Sequence, residues 1–107
     1  MEKVVMRIQF EMEGGLAYFP GLAKPIVIDT DQLSDQAAME IEKIVAQANF
    51  FALSKTVGKP APGAADYRQY TITIQDGKKS HTVTTFDPIQ DPKLQALVQY
   101  LQTKARS

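Results

Sequence analysis

Residues 4–12, VVMRIQFEM, alternate between apolar and polar side chains, and this alternation constrains the fold more than any other feature. Val4, Met6, Ile8, Phe10 and Met12 fall on one face; Val5, Arg7, Gln9 and Glu11 fall on the other. Side chains repeat every two residues only in a strand, so the segment predicts a strand with one covered and one wet face. A chain with such a strand must supply an amphipathic layer to cover it.

Gly14-Gly15 follows, and a glycine pair can take positive φ at both positions, which suits a hairpin turn. The next strand is expected at PIVID, 25–29, where Pro25 is tolerated at the first position. The connection between them, EGGLAYFPGLAKP at 13–25, is unusual. A polar turn is expected there, yet it carries Leu16, Tyr18, Phe19 and Leu22 with almost no charge. Either LAYF pairs back across the glycines and Pro20-Gly21 breaks the ladder, or 14–24 form one long hairpin loop. The apolar side chains then either cover the end of the core or stand out as anchors for another protein. Aromatic anchors bring large area with few rotamers to freeze. Glycine and Pro-Gly turns would hold such a loop in a defined shape, which lowers the entropy lost on binding.

The covering layer is found in two helical patterns. In the first, Ser34 is suited to the N-cap, and Ala37, Ala38, Ile41, Ile44, Val45 and Ala48 recur at spacings of three and four. Glu40, Glu42, Lys43 and Gln47 remain for solvent, and Asn49 is expected at the helix end. FFAL, 50–53, reads as core. In the second, Asp91 caps, Pro92 suits the first helical position, and Leu94, Leu97, Val98 and Leu101 form the stripe. Lys104 and Arg106 lie near its negative end. Between the helices, SKTVGKPAPGAAD at 54–66 has two glycines, two prolines and no apolar period. It reads as a long loop and a second candidate surface. Residues 67–87 read as a hairpin turning at Asp76-Gly77; a three-residue loop would put Thr82 and Thr84 on the core face, and a two-residue loop, preferred because it buries a valine rather than threonine hydroxyls, puts Val83 there with Tyr70 and Ile72. The order ββαββα predicts one α+β domain over 1–107, a four-stranded antiparallel sheet with two helices packed on one face.

Composition narrows the chemistry. Twelve basic and twelve acidic residues cancel, so the chain lacks the positive field that nucleic-acid binding needs. It has no cysteine, which removes disulfides, thiolate nucleophiles and cysteine zinc sites. Neither a standard signal peptide nor a run of about 18 apolar residues is expected, which points to a cytoplasmic location, with export by a non-standard route as the alternative. His81 is the single histidine. Its strand neighbours Ser80 and Thr82 point to the opposite face, so it reads as structural rather than as part of a triad. Asp29-Thr30-Asp31 lacks the rest of a calcium loop and reads as a strand end with helix-entry caps. Glu11 and Glu13 read as the solvated face of the first strand, not a catalytic pair. Tyr67 and Tyr70, flanking Arg68, read as sheet packing rather than base stacking. No catalytic, metal or cofactor set is expected.

The segments RIQFEMEGGLAYFPG at 7–21, VIDTDQL at 27–33, PGAADYRQYTITIQDG at 62–77, HTVTTFD at 81–87 and LQALVQYL at 94–101 together resemble the emfourin family. Emfourins are small bacterial inhibitors of thermolysin-like (M4) metalloproteases of the protealysin type. The resemblance implies a proteinaceous inhibitor, not an enzyme, whose partner is an M4-type metalloprotease. Such an inhibitor plugs the substrate cleft with a loop, or places a carboxylate, carbonyl or amine near the catalytic zinc. The family's glycine pair matches Gly14-Gly15, whereas Tyr18 stands where family sequences usually have a smaller residue. The expected contacts are Gly14, Gly15, Leu16, Tyr18, Phe19 and Leu22, with Lys59, Pro60 and Pro62 as a second edge, on a monomer or weak dimer. The alternative is a non-inhibitory interaction module, a homodimer or regulatory subunit, using the same apolar loop. A small-molecule enzyme built on His81 and a carboxylate is the third reading.

Overall fold

The computed structural model describes residues 6–14, 26–58, 68–86 and 89–106. Strands β1 (Met6–Gly14) and β2 (Ile26–Asp29) are followed by a 3-10 turn (Thr30–Gln32) and helix α1 (Asp35–Gln47). A second 3-10 turn (Phe50–Ala52) leads to the two-residue strand β3 (Thr56–Val57). Then come β4 (Arg68–Asp76), β5 (Lys79–Phe86) and helix α2 (Pro92–Arg106).

The alternation of β1 is kept: Met6, Ile8 and Phe10 are buried, and Arg7 and Gln9 are exposed. Val4 and Val5, expected in the same strand, lie outside the described residues. The sheet order is β2-β1-β4-β5-β3. Its rows continue the two faces across strands. Ile26, Phe10, Ile72 and Val83 align on the covered side, and Val27, Gln9, Thr73 and Thr82 on the open side. Phe10 and Tyr70 stack at 6.2 Å, so Tyr70 packs in the sheet as expected, while Tyr67 lies outside the described residues.

Two details of the sheet depart from the sequence reading. Among the described residues the sheet has five strands and is mixed, because β3 pairs parallel with β5, Val57 opposite Thr85. This strand comes from the stretch expected to be loop; two paired residues are too few to show a period. Gly14 is still in the ladder, opposite Arg68, rather than in a turn. Both β1 and β4 are nine residues long, so β4 offers Gly14 a backbone partner.

The β4–β5 hairpin turns on Gly77-Lys78, with Asp76 opposite Lys79, one residue later than the Asp76-Gly77 expectation. Gly77 has φ +62° and Lys78 does not share the positive φ, the pattern of a type II′ turn. The shift preserves the expected faces: Val83 is buried opposite Ile72.

Both helices pack on the covered face. Ile41 and Val45 of α1 and Leu94, Leu97, Val98 and Leu101 of α2 share one core with Ile8, Phe10, Ile72, Ile74 and Val83. The Ser34 hydroxyl accepts from Ala37 N at 3.2 Å, and Asp91 Oδ1 accepts from Lys93 N at 3.0 Å and Leu94 N at 3.2 Å. Asn49, at φ 53°, ends α1 in the left-handed conformation that asparagine tolerates. Among the described residues, no helix is long and apolar enough to cross a membrane.

Candidate functional site

The two ends of the sheet are built differently. At one end β1 starts and the chain turns tightly. Thr30 is buried and its Oγ1 accepts from Met6 N at 2.9 Å, while Arg7 Nε donates to Asp29 Oδ1 at 2.8 Å. That donated bond is the main reason the Arg7 guanidinium is held above its ordinary pKa, with the Asp29 charge adding to it. Asp29 therefore holds Arg7 and caps no helix, whereas Thr30 satisfies a strand N–H. Two open grooves lie at this end. One, of about 400 Å³, is lined by Arg7, Asp29, Asp31, Gln32, Gln75 and Gly77. The other, of about 410 Å³, runs along Met6, Val45, Asn49, Phe50 and Phe51, with Glu42 and Asp76 at its margin. Among the described residues, neither is lined by a histidine, serine or cysteine that could serve as nucleophile or base beside its carboxylates. Among the described residues no cluster of His, Cys, Asp and Glu could hold a metal ion.

At the other end β1 stops and β2 begins. Gly14 lies opposite Arg68, Gln69 opposite Phe86, and Val57 opposite Thr85. The strand residues Gly14, Ile26, Val57, Arg68 and Phe86 therefore all lie toward this one end. With strands about 4.8 Å apart, the row of strand ends from β2 to β3 is about 19 Å wide. Met12, Ile26, Val57 and Ile89 are half-buried against the core. Of the expected contact residues only Gly14 falls on the described residues. Gly15, Leu16, Tyr18, Phe19, Leu22, Lys59, Pro60 and Pro62 lie outside them. The structure thus brings together the flanks of the two candidate segments, at the same end of one sheet.

The side chains considered for catalysis have other work. His81 Nε2 donates to the Leu53 carbonyl at 2.7 Å, and its ring meets Phe50 edge-on at 5.6 Å and Phe51 at 6.5 Å. With Nε2 carrying the proton in that bond, this nitrogen is not free to act as a base. Glu11 accepts from Gln9 Nε2 at 3.4 Å on the open face of the sheet. Thr85, which no sequence motif singles out, is 1% exposed and donates from Oγ1 to the Val57 carbonyl at 2.9 Å. The signal was present in the parity of β5: if Val83 points inward, Thr85 does too.

No curated protein matches the chain. Among solved structures it is similar to emfourin (M4in) from Serratia proteamaculans, described as an M4 family peptidase inhibitor. The two are 24% identical, the match covers 87% of this chain and 82% of that chain, and the TM-score is 0.38. The Emfourin family profile matches residues 10–102, from the middle of β1 almost to the end of α2. On that match the chain belongs to the Emfourin family, a family of inhibitors and not of enzymes.

Proposed function

We propose that this protein inhibits a thermolysin-like M4 metallopeptidase, and that it does so with the chain segments leaving the Gly14 end of the sheet. Membership of the Emfourin family over residues 10–102 carries the reading. The Serratia protein is described as an M4 family peptidase inhibitor, which supports a peptidase of that class as the partner. The contact set is Gly14, Gly15, Leu16, Tyr18, Phe19 and Leu22 on one segment and Lys59, Pro60 and Pro62 on the other. Two segments that depart from one sheet end can engage a single cleft together, and the rigid sheet between their flanks limits the entropy lost on docking. Apolar and aromatic anchors at such a contact exclude water and carry most of the binding energy.

The test is a titration of an M4 metallopeptidase with the purified protein, read as residual peptide hydrolysis. Inhibition that saturates with added protein is expected. Full protease activity at micromolar excess, across several thermolysin-like enzymes, overturns the reading.

A further inference from the structure

Residues 49–58 run as a strap from the end of α1 along the outer side of β5. Both of its ends are left-handed, Asn49 at φ 53° and Gly58 at φ +81°. Burial anchors only the first part. Phe50 is 1% exposed and Phe51 and Leu53 are half-buried, but from Ser54 to Gly58 only Val57 is even partly covered. The later part is therefore held chiefly by hydrogen bonds, the condition under which a segment opens locally without global unfolding.

Those bonds fall on alternate carbonyls. Leu53 O accepts from His81 Nε2 at 2.7 Å, Lys55 O from Thr84 N at 2.8 Å, and Val57 O from Thr85 Oγ1 at 2.9 Å. The backbone ladder pairs only Thr56 and Val57. His81 extends the grip to a residue that precedes the ladder, and Thr85 adds a side-chain donor at the ladder's last residue. The two donors are four residues apart on β5 and share its inner face, either side of the buried Val83. Each has a structural reason to stay engaged. Thr85 is buried, so its hydroxyl must find an acceptor, and the His81 ring packs against both Phe50 and Phe51.

We propose that His81 and Thr85 are positioning residues of the inhibitory surface. They clip the strap to β5 and so fix the point from which 59–67 departs, at the same sheet end as the Gly14–Arg68 pair. This role rests on the functional reading above. A strap that is docked only part of the time presents a competent surface only part of the time, and the apparent affinity falls by that fraction.

Four variants test the clip. Thr85→Val keeps the shape and removes the donor, and Thr85→Ser keeps the donor. His81→Phe keeps an aromatic ring without a donor, and His81→Gln keeps an N–H. Each is measured for inhibition of an M4 metallopeptidase, for amide hydrogen exchange over 54–58, and for thermal melting. Thr85→Val and His81→Phe should speed exchange over 54–58 and weaken inhibition about five- to tenfold, while Thr85→Ser and His81→Gln stay closer to the parent. If Thr85→Val does not fold, His81→Phe carries the same test. Unchanged inhibition in a variant whose 54–58 amides exchange freely overturns the positioning role alone. A Thr85→Ser protein as weak as Thr85→Val also overturns it, because the loss would then follow any change of packing at the site rather than the missing donor. A parent protein that never inhibits overturns the functional reading, and the positioning role falls with it.

Discussion

The two ends of this sheet receive opposite treatment from the chain. Where β1 starts, the connections are close to the shortest the geometry allows. A two-residue turn joins β4 to β5, and β2 passes straight into a 3-10 turn whose Thr30 ties back to Met6 N. Where β1 ends, the chain spends 15–25 on a connection that two glycines could have closed, and 59–67 on another. Closing the β1–β2 hairpin needs two to five residues, so the extra length of 15–25 is not explained by folding, whereas 59–67 joins two strands that β5 separates. Under the proposed function, the sheet end with minimal connections serves the fold and the end with the long connections meets the partner.

The largest test strikes both ends at once. Ile72 is fully buried in the row Ile26, Phe10, Ile72, Val83 that links the halves of the sheet. Ile72→Ala should cost about 3–4 kcal/mol of stability by lost transfer energy and an unfilled cavity, read by urea denaturation. A loss below about 1 kcal/mol would mean that the sheet is not the rigid spacer assumed here.

The next test separates the ends. Phe19→Ala should weaken inhibition by about 2 kcal/mol or more, roughly thirtyfold, as expected of a central aromatic anchor. Asp31→Asn, at the opposite end, should leave inhibition unchanged. A melting temperature that drops with Phe19→Ala while inhibition holds would assign Phe19 to the core cover instead.

Helix entry gives a smaller contrast. Asp91 accepts from two backbone N–H groups and Ser34 from one. Asp91→Ala should therefore cost about 1 kcal/mol and Ser34→Ala somewhat less. The order reverses only if α1 depends on its cap more than α2 does. Gly77→Ala belongs to the same range, at about 1 kcal/mol. No atom lies near enough to obstruct a Cβ there, so the cost would come from φ +62° alone.

Much of this was legible in the sequence because it follows from single-chain periods. The alternation of β1, both helix stripes, the caps at Ser34 and Asp91 and the inward Val83 all repeat or sit at fixed offsets. β3 was not legible. Its two residues have no period, and it is held by pairing with β5 and by the Thr85 hydroxyl on the Val57 carbonyl, partners that are remote in the chain. Gly14 was misplaced for the same reason: whether a glycine stays in a strand depends on the length of the strand beside it. His81 was legible as structural but not as a clip, since its acceptor, the Leu53 carbonyl, belongs to a segment that read as core followed by loop. For the candidate site, sequence supplied the segments and the structure supplied their common origin. That Gly14 and Arg68 face each other is a register fact, and register between distant strands is not written in either strand alone.

The smallest expected effect is the sharpest check on the contrast between ends. Arg7 and Asp29 form the best-defined ion pair at the minimal end, with the Arg7 side chain 61% exposed. Exposed pairs contribute little, because water screens the attraction and ordering two side chains costs entropy. The raised guanidinium pKa gives no pH step either. A cation whose folded pKa is raised keeps its stabilisation at every pH below its unfolded value and loses it only above, and for arginine that lies far into alkali. Arg7→Gln should therefore change melting least of all these variants, with no pH dependence across the neutral range, and should leave inhibition at the parent level in low and high salt. If Arg7→Gln instead weakened inhibition as far as Phe19→Ala, and salt abolished the difference, the protease would be reading charge at the end of the sheet where the connections are shortest. Connection length would then be no guide to where the partner binds.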